Sequence, residues 1–143
     1  MLTVSSLAHV AIKVKDAERS LDFYINKLGF AEMIRLERDG RLWLVYLRIT
    51  DDQYLEIFPE GVGETAASRD AVGYNHMCLS VADIDQAVRE LAAAGVPLDQ
   101  GKKMGADNNY QAWIVDPDGH RIELMQMAAD SLQLKAIAKM KAT

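Results

Sequence analysis

One pattern of residues occurs twice in this chain, and that internal repeat restricts the fold more than any other feature of the sequence. Four positions recur at an offset of 67 residues: His9 and His76, Asp16 and Asp83, Tyr46 and Trp113, Glu56 and Glu123. The histidine and the glutamate are 47 residues apart in both copies. Two copies of one supersecondary unit are therefore expected.

The first copy, about residues 5–60, has the pattern of a strand, a helix and three further strands. Leu7–Val14 alternates between apolar and other residues, as a half-buried strand does. Asp16 is a typical N-cap residue, and Gly29 suits the left-handed position that follows a helix. Three more strands are predicted around an Asp-Gly hairpin: Phe30–Arg38, Arg41–Ile49 and Gln53–Phe58.

The second copy, about residues 73–128, repeats this order. Its first strand is predicted over Tyr74–Val81, and Asp83 is predicted to cap its helix. The remaining predicted strands are Val96–Gln100, Tyr110–Val115 and His120–Met127. Gly101–Asn109 is predicted to be a mobile loop and a candidate lid, because it is rich in glycine and polar residues. Residues 129–143 are predicted to add a C-terminal helix.

The composition argues against several classes of function. The chain has 16 basic and 21 acidic residues, and the basic ones are scattered, so nucleic acid is not an expected partner. No apolar run approaches the roughly 20 residues of a membrane span, and no signal-peptide pattern is present, so no membrane partner is expected. Cys78 is the one cysteine, which is typical of a reducing compartment, and we expect the protein to be cytoplasmic.

Strand alternation places the repeated histidines and glutamates opposite the apolar residues that should form the core. This holds for His9 and Glu56 in the first copy and for His76 and Glu123 in the second. Two such sheets brought together would form a curved cup lined by two imidazoles and two carboxylates.

This set of side chains predicts a metal site. Two imidazoles and two carboxylates suit a borderline divalent ion such as Ni²⁺, Zn²⁺, Co²⁺, Mn²⁺ or Fe²⁺. By the same strand parity, the candidates for a substrate wall are Tyr46, Trp113, Tyr54, Phe58 and Met125. Each of these side chains is equally suited to a dimer contact or to the core. His120 is predicted to lie on the surface, and Cys78 to be a small filler residue.

Several motifs, in this order, resemble the vicinal oxygen chelate superfamily, which includes glyoxalase I, extradiol dioxygenases, methylmalonyl-CoA epimerase and antibiotic resistance proteins. The resemblance covers about residues 5–128 and is carried by these stretches: Leu7–Asp16, Ser20–Tyr24, Lys27–Phe30, Tyr54–Phe58, Asn75–Val81 and Asp116–Met125. It implies an α+β fold over residues 1–143, in which two tandem βαβββ modules form a curved, cup-like mixed β-sheet. It also implies a homodimer.

Within that superfamily, the resemblance is to glyoxalase I, whose ligands are two histidines and two glutamates. The positions that match are His9, Glu56, His76 and Glu123. The resemblance implies a lyase or isomerase that uses one divalent metal ion, Ni²⁺ or Zn²⁺ first. Such an enzyme moves a proton next to a metal-bound carbonyl, as in the conversion of a methylglyoxal–thiol hemithioacetal to a thioester. Glu123 takes the role of the base, and Glu56 is its counterpart in the first module.

The sequence departs from glyoxalase I at two positions that concern the substrate. Lys13 stands where an arginine typically holds the carboxylate of glutathione, and Glu60 stands where an asparagine is typical. A glutathione adduct is therefore one candidate small-molecule substrate among other thiol adducts and enolisable hydroxycarbonyl compounds. The alternatives are another metal enzyme of the superfamily (an epimerase, an isomerase or a dioxygenase) or a non-catalytic binding or resistance protein.

Overall fold

The computed structural model describes residues 2–142 and divides the chain into two compact units, with the boundary between Ala66 and Ala67. The strands of the first unit are β1 (His9–Lys13), β2 (Ala31–Arg38), β3 (Arg41–Thr50) and β4 (Gln53–Phe58). Those of the second are β5 (Met77–Ser80), β6 (Gln100–Met104), β7 (Tyr110–Val115) and β8 (Arg121–Gln126). The helices are α1 (Ala17–Leu21), α2 (Ile84–Ala93) and α3 (Leu132–Lys141). The predicted α+β class, the βαβββ order and the C-terminal helix are confirmed, while the extent of the domain stays a prediction.

Each unit contains one four-stranded mixed sheet, and the two sheets have equivalent topology. The strand orders are β1-β4-β3-β2 and β5-β8-β7-β6. The first strand of each unit pairs in parallel with the last, and the other pairings are antiparallel. This topology brings the histidine at the start of a unit beside the strand that carries its glutamate.

Each sheet buries a row of apolar residues on one of its faces. In the first unit these include Ile12, Val45 and Ile57, while His9, Ala11 and Lys13 on the opposite face of β1 are exposed. In the second unit, α2 packs against β6, β7 and β8 and covers buried residues of that sheet: Ala112, Ile114, Ile122 and Leu124. Burial of such side chains is the main favourable contribution to folding.

The first helix differs from the prediction in its last turn and a half. Asp16 caps α1 as expected, since its carboxylate accepts a hydrogen bond from the amide of Arg19. From Asp22 to Lys27 the chain continues as a π-helical segment, and the amide of Leu28 bonds to the carbonyl of Phe23 at 3.0 Å. The apolar spacing does not distinguish these two helical forms, because their periods are close. Gly29 follows with φ of 80°, as predicted.

Two strands of the second unit lie elsewhere than the sequence predicts. The strand predicted over 96–100 is wrong: β6 spans Gln100–Met104, so the first half of the predicted loop is a strand that pairs with β7. Its sequence, Gln-Gly-Lys-Lys-Met, has no β-branched residue and therefore a low intrinsic strand propensity. Hydrogen bonding to β7 stabilises the strand instead. The strand β5 is shorter than predicted, so His76 lies just before it rather than within it.

The C-terminal helix α3 has no buried residue. Ser131 caps it, and the side-chain oxygen of that serine accepts a hydrogen bond from the amide of Leu134. None of the helices within residues 2–142 combines the length and the apolar content that crossing a membrane requires.

Candidate functional site

The first unit brings His9 and Glu56 together on the exposed face of its sheet. Ala11 pairs with Glu56 in the parallel register of β1 and β4, and His9 lies two residues earlier on the same face. The Nε2 atom of His9 is 3.7 Å from the Oε2 atom of Glu56. The Glu56 side chain is 9% exposed and that of His9 is 47% exposed, so a half-exposed imidazole faces a buried carboxylate.

Tyr46 holds the carboxylate of Glu56. The two residues are directly paired between β3 and β4. The hydrogen bond from the phenol to Glu56 raises the pKa of Tyr46, because the carboxylate stabilises the protonated form. A buried carboxylate requires hydrogen-bond donors or a cation, and Tyr46 supplies one donor.

The second unit brings His76 and Glu123 together in the same way. Cys78, two residues after His76, pairs with Glu123 in the parallel register of β5 and β8. The Nε2 atom of His76 is 3.2 Å from the Oε2 atom of Glu123. The side chain of His76 is 31% exposed and that of Glu123 is 12% exposed, so the pair is partly buried.

Cys78 takes the place beside Glu123 that Tyr46 takes beside Glu56, although it comes from a different strand. Partial burial of the thiol, followed by the nearby charge of Glu123 and a hydrogen bond to that carboxylate, raises the pKa of Cys78 to about 12. The residue is exposed in part, but its thiol is not activated as a nucleophile. The prediction of a small filler residue omits this hydrogen bond.

The imidazole of His76 is fixed by neighbours that His9 lacks. Its Nδ1 atom is 2.7 Å from the Oδ1 atom of Asn75. The ring also contacts that of Trp113 edge to face, with centroids 4.8 Å apart. Trp113 in turn donates from Nε1 to Gln111 at 2.9 Å and stacks under the guanidinium of Arg121.

The predicted substrate-binding residues have different surroundings. Lys13 is exposed on β1, paired in register with Phe58, and on the same face as His9. Trp113 is buried, and Tyr46 and Met125 are partly buried. The sulfur of Met125 is 3.6 Å from the amide nitrogen of Asn109. Their contact with a substrate stays a prediction.

The prediction that His120 lies on the surface is wrong. Its side chain is 11% exposed, and its Nδ1 atom is 2.9 Å from the Oδ2 atom of Asp116, which is fully buried. The other carboxylate oxygen of Asp116 accepts hydrogen bonds from the amides of Asp118 and His120. The turn therefore folds the imidazole back over Asp116, so this histidine has a structural role in the last hairpin.

Within residues 2–142, no group of three or more His, Cys, Asp or Glu side chains is arranged to hold a metal ion. The spacing inside each pair is nevertheless suitable for neighbouring ligands. Atoms bound at about 2.1 Å with tetrahedral or octahedral angles lie about 3.0–3.5 Å apart. The 3.2 Å of the second pair falls in that range, and the 3.7 Å of the first pair corresponds to a wider angle of about 120°.

Strand parity identified the two pairs but missed residues that hold them. Asn75, which contacts His76, and Gln111, which accepts a hydrogen bond from Trp113, were not predicted to have a role in the site. Gln111 lies two residues before Trp113 and therefore on the same face of β7, so strand alternation could have identified it. Asn75 is adjacent to His76, but its role depends on a backbone carbonyl that the sequence does not reveal.

Comparisons with known proteins identify the family of this chain. Residues 6–124 match the family model described as the glyoxalase/bleomycin resistance protein/dioxygenase superfamily. A protein named lactoylglutathione lyase, from Pseudomonas aeruginosa, is 30% identical over 82% of this chain and 80% of its own length. The uncharacterized protein YaeR of Escherichia coli is 30% identical over 88% of this chain and 99% of its own length.

Similarity to a solved structure supports the fold. The crystal structure of SMU.1112c has a TM-score of 0.77 and 28% identity to this chain, covering 86% of it and 99% of the other protein. The chain therefore belongs to the glyoxalase/bleomycin resistance protein/dioxygenase superfamily.

Proposed function

We propose that this protein is a divalent-metal-dependent lyase or isomerase of the glyoxalase I type. The observation that carries the proposal is the repeated pair: each unit presents one imidazole nitrogen and one carboxylate oxygen at 3.7 or 3.2 Å on the same sheet face. The proposed ligands are His9, Glu56, His76 and Glu123, contributed by one chain or by two copies of it. Ni²⁺ and Zn²⁺ are the first candidates, with Co²⁺, Mn²⁺ and Fe²⁺ as alternatives.

The chemistry of the pairs supports a bound cation. Glu56 is buried, and the imidazole of His9, 3.7 Å away, is charged only when protonated. A buried carboxylate held by a phenol and a neutral imidazole retains its negative charge without a full counter-charge. A divalent cation held by the imidazole and the carboxylate would supply that counter-charge.

We assign the base to Glu123 because of the donors that hold the two carboxylates. Glu56 accepts a hydrogen bond from a phenol, whereas Glu123 accepts one from a thiol, which is a much weaker donor. Glu123 is therefore the carboxylate more easily freed to take a proton from a carbon atom and return it to the neighbouring carbon. When bound, the metal ion would polarise the substrate carbonyl and so favour removal of that proton.

The substrate proposed first is a hemithioacetal formed by methylglyoxal and a thiol. The relatives named lactoylglutathione lyase support this choice. Lys13 supports an anionic group on the substrate, since its ammonium group is exposed on the face that carries His9. Tyr46, Trp113 and Met125 are the proposed apolar walls.

A second candidate is another proton-transfer enzyme of the superfamily, an epimerase or isomerase, with a substrate other than a glutathione adduct. The observation that favours it is Glu60, which is exposed and has a left-handed φ of 62° two residues after the end of β4. This carboxylate would repel a glutathione carboxylate bound near the end of that strand. A homodimer and a cytoplasmic location belong to the same proposal.

The test is a turnover assay with defined metals. The purified protein, stripped of metal, is loaded separately with Ni²⁺, Zn²⁺, Co²⁺, Mn²⁺ or Fe²⁺ and given the glutathione–methylglyoxal hemithioacetal. Formation of the thioester with at least one metal is the expected result. The absence of thioester with every metal would reject the lyase, and turnover of a related enolisable compound would then support the second candidate.

A further inference from the structure

Asn75 is a polar residue to which neither strand alternation nor the family resemblance assigns a role in the site. It lies directly before His76 and just outside β5. Its amide makes two hydrogen bonds: Nδ2 donates to the backbone carbonyl of Arg69 at 2.9 Å, and Oδ1 is 2.7 Å from Nδ1 of His76. Asn75 thus connects the segment that precedes β5 in the second unit to a proposed ligand.

The carbonyl of Arg69 determines the orientation of the Asn75 amide. A backbone carbonyl can only accept a hydrogen bond, so the NH₂ group of Asn75 must face Arg69. Rotating the amide by half a turn would place its oxygen against that carbonyl. A turn positions the carbonyl, because the amide of Ala71 bonds to the carbonyl of Ser68 at 3.0 Å.

The amide orientation in turn determines the tautomer of His76. Because the Oδ1 atom of Asn75 can only accept, Nδ1 of His76 must carry the proton. In the neutral imidazole, Nε2 then has a lone pair and no hydrogen. That lone pair faces the Oε2 atom of Glu123 at 3.2 Å, and the carboxylate oxygen also bears lone pairs.

We propose that Asn75 is a positioning residue that fixes His76 as the Nδ1–H tautomer, so that Nε2 is presented with Glu123 as a ligand pair. This inference rests on the proposed function, since it assigns the pair to a metal ion. Without the contact, a neutral His76 would adopt the other tautomer and donate Nε2–H to Glu123. The two ligands would then bond to each other, and a metal ion would have to break that bond before binding.

The first unit does not need this device. The residue before His9 is Ala8, which has no side-chain acceptor. The 3.7 Å between Nε2 of His9 and Oε2 of Glu56 is too long for a hydrogen bond, and Glu56 has its donor in Tyr46. In the first unit, the distance between the histidine and the glutamate prevents a hydrogen bond between them. In the second unit, the proposed tautomer of His76 prevents it.

The first arm of the test is nuclear magnetic resonance of the metal-free protein. The chain has three histidines, and variants of His9 and His120 assign the ring signals of His76. Long-range proton–nitrogen correlation, at a pH about two units above the ordinary histidine pKa of about 6.5, reports which nitrogen carries the hydrogen. The expected result is Nδ1–H in the wild type and a shift toward Nε2–H in Asn75→Ala. An Nε2–H tautomer in the wild type would overturn the proposal.

The second arm is Zn²⁺ affinity, measured by competition with a chromophoric chelator. Asn75→Ala should bind Zn²⁺ about 10–100-fold more weakly than the wild type, as expected when the hydrogen-bond partner of a ligating histidine is lost. Asn75→Asp keeps an oxygen acceptor for Nδ1 but places its second carboxylate oxygen against the carbonyl of Arg69, so it should restore part of the affinity. Asn26→Ala removes an exposed helical asparagine whose side chain donates a hydrogen bond to Asp22, and it is the matched control.

The two arms separate the failure of this inference from the failure of the proposed function. Unchanged Zn²⁺ affinity in Asn75→Ala, together with an altered tautomer, would overturn the positioning role while the metal site stands. If the wild type binds no metal ion, the proposed function fails and so does the role of Asn75 toward a metal. Circular dichroism of Asn75→Ala checks that the fold is intact, and Asn75→Asp provides a second variant if it is not.

Discussion

At the scale of single residues, Glu123 is the side chain on which turnover should depend most. Its carboxylate is held by the thiol of Cys78 and faces Nε2 of His76. In Glu123→Gln the amide cannot take a proton, so kcat should fall by about 10²–10⁴-fold even at saturating metal. Steady-state kinetics with the hemithioacetal measures this effect.

The matched control is Glu37→Gln, which changes an exposed glutamate of β2. Its kcat should equal that of the wild type. Equal losses in the two variants, or normal turnover by Glu123→Gln, would contradict the assignment of Glu123 as the base.

His120 provides a prediction about pH and stability. The hydrogen bond to Asp116 raises the pKa of His120 above its ordinary value. A group whose pKa is raised on folding contributes its full stabilisation below the unfolded pKa of about 6.5, and the contribution is lost as pH rises through the folded pKa. Denaturant midpoints of the wild type should therefore exceed those of His120→Gln most at about pH 6. The gap should shrink toward about pH 9, and a gap that widens with pH would contradict this account.

At the scale of elements, the attachment of α3 is the feature that the family pattern does not cover. Asn109 is fully buried at the start of β7, and its Nδ2 donates to Asp107 at 2.8 Å and to Gln133 at 2.6 Å. Its Oδ1 accepts from the amide of Ala128, and the amide of Leu132 bonds to the carbonyl of Asp107. The N-terminus of α3 is thereby held against the turn between β6 and β7.

Asn109→Ala should loosen that attachment. The variant leaves Asp107 and Gln133 without a shared partner and should lose about 1–3 kcal/mol of unfolding free energy. Hydrogen exchange should show loss of protection at the amides of Ala128 and Leu132, with α2 unchanged. Asn26→Ala is again the control, and unchanged exchange in Asn109→Ala would contradict the proposed attachment.

Some elements could be predicted from the sequence and others could not. The strands β4 and β7 match their predicted bounds, because aromatic and β-branched residues and the following proline or turn mark them locally. In contrast, β6 carries no local signal, and its place follows from pairing with β7. The π-helical segment was missed because its hydrogen bonds change while the apolar spacing does not.

At the scale of the whole molecule, the repeat predicted two units of equivalent topology and the histidine–glutamate pair inside each. It did so because strand parity and a constant offset are properties of the sequence itself. The partners of those pairs were less predictable. Tyr46 was predicted as a wall and proves to be the donor to Glu56. Asn75 depends on the Arg69 carbonyl, which an irregular segment positions.

The central claim is that the four repeated side chains bind one divalent metal ion. Equilibrium dialysis against Zn²⁺ or Ni²⁺, followed by elemental analysis, tests it most directly. We expect one ion per chain in the wild type and a large loss of binding in each of the variants His9→Ala, Glu56→Gln, His76→Ala and Glu123→Gln. His120→Gln, which alters the one histidine outside the pairs, should keep its metal. A wild type that retains no metal, or four variants that bind as the wild type does, would contradict the claim.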